Sequence, residues 1–173
     1  MVDHVSRVAV ERQGFLGKTD AMVELQSVQE SLYPNTTCFG CGHANPDGFR
    51  LRSYRDGERA VGEFTPRPEH DNGFGFLNGG IIATVLDCHG AAMVMSEADD
   101  RGWAAPEGAP VPFITAGFDV QFLRPTPLGA TVRLIAFPVR VDEDEIVVQS
   151  ELEFEEKTRA VMTARWRRFR PRA

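Results

Sequence analysis

The sequence predicts an α+β domain in which one long buried helix packs against a mostly antiparallel sheet. Three observations predict it. Residues 80–97 are apolar on nearly every face of a helix, from Ile81, Ile82, Ala83, Val85 and Leu86 to Ala91, Ala92, Met93, Val94 and Met95. Such a helix must be buried on most sides. Two segments before it and four after it read as half-buried strands, several of them with clear period-two alternation. Asp56-Gly57, between the first two, is a strong tight-hairpin signal. The order is therefore β-β-α-β-β-β-β, with one face of the sheet wetted.

Taken in order, residues 1–20 are polar, without clear period, and read as a loose arm. A helix is expected over 20–33: Asp20 can cap it, and Met22, Leu25, Val28, Gln29 and Leu32 fall near helical spacing. Pro34 stops it. The arm and helix make up 1–35, and the domain proper 36–173. Residues 34–48 are turn-rich. Strands are expected at 48–55 and 58–65, ended by Pro66 and Pro68. Loop 66–79 leads into the helix and loop 98–111 leaves it. In 112–123, Ile114, Ala116, Phe118, Val120 and Phe122 lie on one face, with Thr115, Gly117, Asp119 and Gln121 on the other. Strands at 131–141 and 145–156 follow, the latter with Ile146, Val148, Leu152 and Phe154 facing one way and Gln149, Glu151, Glu153 and Glu155 the other. A turn at Lys157-Thr158-Arg159 leads to a last strand, 160–170, and a fraying tail.

The 173 residues suit one domain with a substantial core. With 42% apolar and 25% charged residues the composition is that of a globular protein. A net charge of −6 argues against general nucleic-acid affinity. The chain shows neither an apolar run of membrane-span length nor a signal-peptide h-region at its start. Three cysteines leave one unpaired in any disulfide scheme, so a reducing cytoplasm is the expected compartment.

The chemistry-bearing stretch is His70–Gly90, HDNGFGFLNGGIIATVLDCHG. Gly79 and Gly80 fall in the first helical turn, where unpaired N–H groups and the helix dipole suit a phosphate or a developing oxyanion. Asp87 follows Gly79 by eight residues, about two turns or ~12 Å. Its same-face neighbours Ala83, Thr84, Gly90 and Ala91 are small, so the carboxylate faces a space that a ligand could fill. A buried carboxylate without a partner is costly, which makes it a candidate base or nucleophile. A hydrogen bond to backbone or a pairing with arginine accounts for it equally well, and the glycines also suit a close helix-on-sheet contact.

The element order together with N-G-F-G-F-L-N-G-G-I-I-A-T-V-L-D resembles the hotdog-fold acyl-CoA thioesterases, especially those of the phenylacetate-pathway type. That family's motif has Asn-Gly, His-Gly-Gly six residues after the Asn, and Asp nine after the His. Asn72-Gly73, Asn78-Gly79-Gly80 and Asp87 stand at these spacings, with Asn78 in place of the histidine. The resemblance covers about residues 36–170. It implies a curved sheet wrapped around the helix, pairing of two subunits sheet to sheet as a homodimer or homotetramer, and hydrolysis of an acyl-CoA thioester. By resemblance, Asp87 attacks the carbonyl or activates water, the Gly79 N–H polarises the carbonyl, Asn72 positions the nucleophile or water, and Thr115 reaches in from the partner subunit. Asn78, Gly80, Thr84 and His70 are expected to bind substrate. Asn78 can donate a hydrogen bond but carries no charge. No cofactor and no metal is expected, coenzyme A being part of the substrate. Two rival readings are a dehydratase or hydratase using His70 or Asp71, and a non-catalytic acyl-CoA binder.

Cys38-Phe39-Gly40-Cys41-Gly42-His43 offers two metal ligands where a structural zinc site wants four. It is read as a structural loop, and Cys88 as core. Similar C-x-x-C-G…N-P-x-G stretches occur in hotdog sequences, in keeping with a structural role. Arg165, Arg167, Arg168, Arg170 and Arg172 are read as a solvated strand face offsetting Glu151, Glu153 and Glu155, with some of them, or Arg124, as candidates for coenzyme A phosphates. Phe74, Phe76, Trp103 and Phe113 can line an acyl pocket or belong to the core.

Overall fold

The computed structural model describes residues 26–170. A short helix α1 (Val28–Leu32) precedes the hairpin β1 (Ser53–Asp56) and β2 (Arg59–Phe64). A single 3-10 turn, Pro68–His70, leads through the glycine-rich loop to the long helix α2 (Gly79–Asp100). Four strands finish the chain: β3 (Phe113–Phe122), β4 (Val132–Val141), β5 (Glu145–Phe154) and β6 (Lys157–Arg168). All six strands form one antiparallel sheet in the order β1-β2-β4-β5-β6-β3. This is the α+β architecture that the alternation and the apolar helix predicted, a long helix wrapped by a sheet in hotdog fashion.

α2 explains the arrangement. Contrary to the sequence expectation of no such run, its 22 residues are long and apolar enough to cross a membrane by length and composition, yet 61% of its most apolar stretch is buried inside the molecule. Val85, Leu86, Met93 and Val94 share one buried core with Leu134, Ile146, Val148, Leu152 and Met162 of the sheet. Truncating any of these fully buried side chains to alanine costs about 2–5 kcal/mol. Close approach depends on small residues. A Cβ on Gly90 would lie 2.9 Å from the Ser150 Oγ, and one on Gly62 would lie 2.7 Å from the Arg52 carbonyl and 3.3 Å from the His89 ring.

Several boundaries differ from the sequence reading. α1 begins at a capping box, with Ser27 accepting from the Glu30 N–H and the Glu30 carboxylate accepting from the Ser27 N–H. Asp20, Met22 and Leu25 lie outside the described residues. The first strand starts at Ser53 rather than 48, and Asp56 pairs with Arg59, so Gly57 and Glu58 form the turn, with Gly57 at φ +63°. α2 runs three residues beyond 97. The expected turn at 157–159 sits two residues earlier, at Glu155-Glu156, because Phe154 pairs with Lys157.

The largest correction concerns the faces of β3. Strict alternation puts Thr115 opposite Phe118. In the structure the β3–β6 register shifts between Thr115 and Gly117, a bulge that flips the parity. Thr115, Phe118, Val120 and Phe122 pair with Trp166, Ala164, Met162 and Ala160, all buried on the helix side of β6. They therefore point to the same side. β3 is also an edge strand, and Ile114, Phe118 and Phe122 remain 47%, 50% and 56% exposed.

Candidate active site

Asp87 sits midway along α2, half-buried, at the floor of a cleft of about 350 Å³. Gly80, Ala83 and Thr84 of the same helix, Phe118 of β3, and Cys38, Phe39, Gly40 and Cys88 line the rest. The Thr115 hydroxyl donates to Asp87 Oδ1 at 3.0 Å. Burial pushes the Asp87 carboxyl above its ordinary value. The Thr115 hydrogen bond opposes that shift, and negative charge on Cys38 adds to it. No arginine pairs with Asp87 among the described residues, so the alternative of a structural ion pair falls away.

Thr115 was expected from a partner subunit. Here it meets the Asp87 of its own chain, because the β3 bulge turns it towards the helix.

The start of α2 forms a second cluster. Asn78 is its N-cap, with Oδ1 accepting from the Gly80 N–H at 2.8 Å. Among the described residues no acceptor takes the Gly79 N–H, which stands at the positive end of the helix. A Cβ on Gly79 would lie 3.2 Å from the Phe122 ring, so the helix start rests on the far end of β3. The Thr84 hydroxyl donates to the Gly80 carbonyl at 2.9 Å while lining the cleft. Asn78, read as a substrate ligand, thus spends its side-chain oxygen on the helix, a role open to any good capping residue.

The loop before the helix is held by its own side chains. Asp71 Oδ1 accepts from the Gly73 and Gly75 N–H groups, both at 2.9 Å. Asn72 Oδ1 accepts from Phe74 and Phe76, at 2.8 and 3.3 Å, leaving its amide hydrogens to point outward. Gly73 and Gly75, at φ +87° and +80°, occupy a left-handed region that L side chains avoid.

His70, expected to bind substrate, is packed among aromatic rings. It is 4% exposed, with ring centroids 5.1 Å from Phe49 and 5.6 Å from Phe64. Its Nδ1 accepts from the Arg67 N–H at 3.1 Å, and burial lowers its basicity. Its carbonyl also accepts from the Asn78 N–H at 2.9 Å, so it anchors the entry to α2. His89 faces away from Asp87, as expected. Its buried ring contacts the Ser53 hydroxyl at 2.8 Å and the Ala60 carbonyl at 3.2 Å, and burial lowers its pKa to about 4.

The cysteines are the part of the site the sequence reading missed. Cys88 is buried with the core, as read, but its Sγ also lies 3.8 Å from that of Cys38, and the Cys38, Cys41 and Cys88 sulfurs all lie within 4.8 Å of one another. The signal was present in Cys38-Phe39-Gly40-Cys41-Gly42, since Gly40 lets the loop reach the helix. Trp103 and Phe113 pack together with ring centroids 6.0 Å apart, with Phe113 in the core rather than the cleft. Phe74 is 83% exposed. Arg167 pairs with Glu145, Arg170 with Asp144, and Arg124 donates to the Thr158 carbonyl; Arg172 lies outside the described residues.

This architecture has counterparts among solved structures. A thioesterase superfamily protein from Shewanella loihica PV-4 is 30% identical over 73% of this chain and 97% of its own, with a TM-score of 0.56. The phenylacetic acid degradation-related protein of Ralstonia eutropha JMP134 is 21% identical, over 69% and 85% of the two chains, with a TM-score of 0.58. The E. coli PaaI protein from the phenylacetic acid degradation operon is 21% identical, over 70% and 80%, again at 0.58. These last two show likeness of fold. No curated protein matches the chain. The family model of the thioesterase superfamily matches residues 74–161, from the glycine-rich loop into β6 and through both halves of the site, and with the Shewanella protein it places the chain in that family: it belongs to the thioesterase superfamily.

Proposed function

We propose that this protein hydrolyses acyl-CoA thioesters in a site assembled from two copies of the chain, with Asp87 as nucleophile or general base. One observation supports the reading: the Asp87–Thr115 pair and the unpaired Gly79 N–H lie apart along one helix. Asp87 and Thr115 stand at one end of the cleft, and the free Gly79 N–H stands eight residues, ~12 Å, down the same helix. One carbonyl carbon cannot sit ~3 Å from both.

β3 offers the remedy. Its Thr115 end lies beside Asp87 and its Phe122 end beside Gly79, and its outer edge is unpaired in the described chain. A second copy pairing antiparallel along this edge, about a two-fold axis near Phe118, sets Asp87 of one subunit against Gly79 of the partner subunit. The exposed Ile114, Phe118 and Phe122 are then covered.

In that arrangement the thioester oxygen accepts from the Gly79 N–H at the helix start, where developing negative charge is stabilised by the dipole. Asp87, held by the Thr115 hydroxyl, attacks the carbonyl carbon or takes a proton from the attacking water. Asn72, whose Oδ1 is taken by the Phe74 and Phe76 N–H groups, keeps its amide hydrogens for that water. Coenzyme A leaves as the thiolate; where Asp87 has attacked, water then hydrolyses the Asp87 acyl anhydride, and where Asp87 has taken the water's proton, that proton passes to the thiolate, so either route releases the free acid. A hydratase or dehydratase reading is less favoured, since His70 is walled in by Phe49 and Phe64 and Asp71 Oδ1 is held by the Gly73 and Gly75 N–H groups.

The test is hydrolysis across short, long and aromatic acyl-CoAs, following free thiol. Wild-type protein is expected to release thiol from at least one class, and Asp87→Asn to lose ~10²-fold or more in kcat. Retention of activity in Asp87→Asn would sink the mechanism. Unaltered binding with no turnover in either protein would favour a binder.

A further inference from the structure

We propose that Cys38, Cys41 and Cys88 form a binding site for one zinc ion, held as a trithiolate that staples the 38–51 loop to the middle of α2. The inference rests on sulfur geometry and does not depend on thioester chemistry.

The sequence offers only one C-x-x-C pair, two ligands short of a structural site. The fold supplies a third from 47 residues further along the chain. Zinc–thiolate bonds of ~2.3 Å in tetrahedral geometry set sulfurs roughly 3.8 Å apart. The Cys38 and Cys88 sulfurs stand at 3.8 Å, and all three lie within 4.8 Å of one another. Small rotations of the side chains complete the face of a tetrahedron.

The backbone around the sulfurs is built for this approach. A Cβ on Gly40 would lie 2.2 Å from the Cys88 sulfur, and one on Gly42 would lie 2.5 Å from the Cys38 N and O atoms. Any other residue at either position pushes the loop out. The Gly42 N–H donates to the Cys38 carbonyl at 2.8 Å, closing the turn. The loop is tied further by Phe49 N–H to the Phe39 carbonyl at 2.9 Å and Leu51 N–H to the Gly40 carbonyl at 3.0 Å.

A disulfide suits the trio less well. Joining two sulfurs at ~2.05 Å leaves the third thiol over, whereas one soft divalent cation engages all three. Cys38 and Cys88 also line the cleft that holds Asp87, so the fourth tetrahedral position opens towards the cleft and solvent oxygen would complete it. Oxygen-preferring cations such as magnesium or calcium gain nothing from such a donor set.

The experiment uses the full chain, purified without a histidine tag in reducing, chelator-free buffer. Zinc is counted by elemental mass spectrometry, and the zinc is then exchanged for cobalt. About one zinc per chain and a sulfur-to-cobalt charge-transfer band are expected. Cys38→Ser, Cys41→Ser and Cys88→Ser should each weaken zinc binding at least ~10-fold, and Gly40→Ala, which keeps all three thiols, by ~10-fold or more through displacement of the loop. The wild-type cobalt spectrum decides the matter even if a variant fails to fold. Wild-type protein that takes up neither metal overturns the proposal. So does zinc affinity unchanged in Cys88→Ser.

Discussion

Asp87 is expensive to keep where it is. Its carboxylate is largely buried with a single hydroxyl partner, so the folded state carries an uncompensated desolvation cost. Asp87→Asn keeps the shape and can still accept from Thr115. It should therefore raise folding stability by up to about 1 kcal/mol in thermal melts while removing activity, the usual trade at a functional site. The opposite end of the helix permits a cleaner deletion. Gly79 is the first helical residue, and Asn78 before it is extended at φ −61°, ψ 135°, a conformation proline tolerates in its predecessor. Gly79→Pro therefore removes one N–H and keeps the helix. A kcat loss of ~10²–10³-fold is expected, whereas Gly79→Ala, which retains the donor, should lose little once the Phe122 ring shifts by a few tenths of an ångström. His89 governs acid stability rather than catalysis. The unfolded chain binds a proton near pH 6.5 and the folded chain only near pH 4. Stability from this residue is thus complete above about pH 6.5 and is lost as pH falls towards 4, by about 3 kcal/mol in all. Denaturant midpoints across that range test it, and His89→Gln should flatten the slope.

At the scale of elements, two local departures from ideal geometry matter. The β3 bulge turns Thr115 to the helix side, so a one-residue feature decides whether Asp87 has a partner. Deleting Ala116 would restore strict alternation and should cost activity more than stability, since Ala116 is itself exposed. The β5–β6 hairpin stores strain instead. Glu155 and Glu156 sit at φ +51° and +56°, where a two-residue turn prefers Asn-Gly. Glu155→Asn with Glu156→Gly should stabilise the protein by about 1 kcal/mol, raising Tm by about 3 °C without touching the cleft.

At the scale of the molecule, the separated halves of the site make a prediction that no single-chain site shares. Equal mixtures of Asp87→Asn and Gly79→Pro chains, refolded together, form half their dimers from unlike chains. Each such dimer has one intact and one doubly impaired site, so about a quarter of wild-type activity should return from two inactive proteins. Mixtures that stay inactive, although mass measurement shows that subunits exchange, would place the whole site in one chain. Phe118→Asp, which puts a charge beside the unpaired β3 edge, should yield monomers by light scattering.

The sequence by itself determined the element order, the burial of the long helix, and Asp87 with its small neighbours, because those properties are periodic or local: an all-round apolar helix has one place to go. It also determined the spacing of Asn72, Gly79 and Asp87, from which the thioesterase resemblance came. Only the tertiary structure decided what those residues touch. It gave Thr115 to the Asp87 of its own chain through a bulge that no alternation pattern announces, turned His70 from ligand to aromatic-packed anchor, and spent the Asn78 oxygen on the helix cap. It also carried Cys88 to a C-x-x-C pair 47 residues earlier, because the glycines at 40 and 42 remove the side chains that would hold loop and helix apart. Spacing along a chain reports which residues share an element. Which elements meet is fixed by packing against the rest of the molecule.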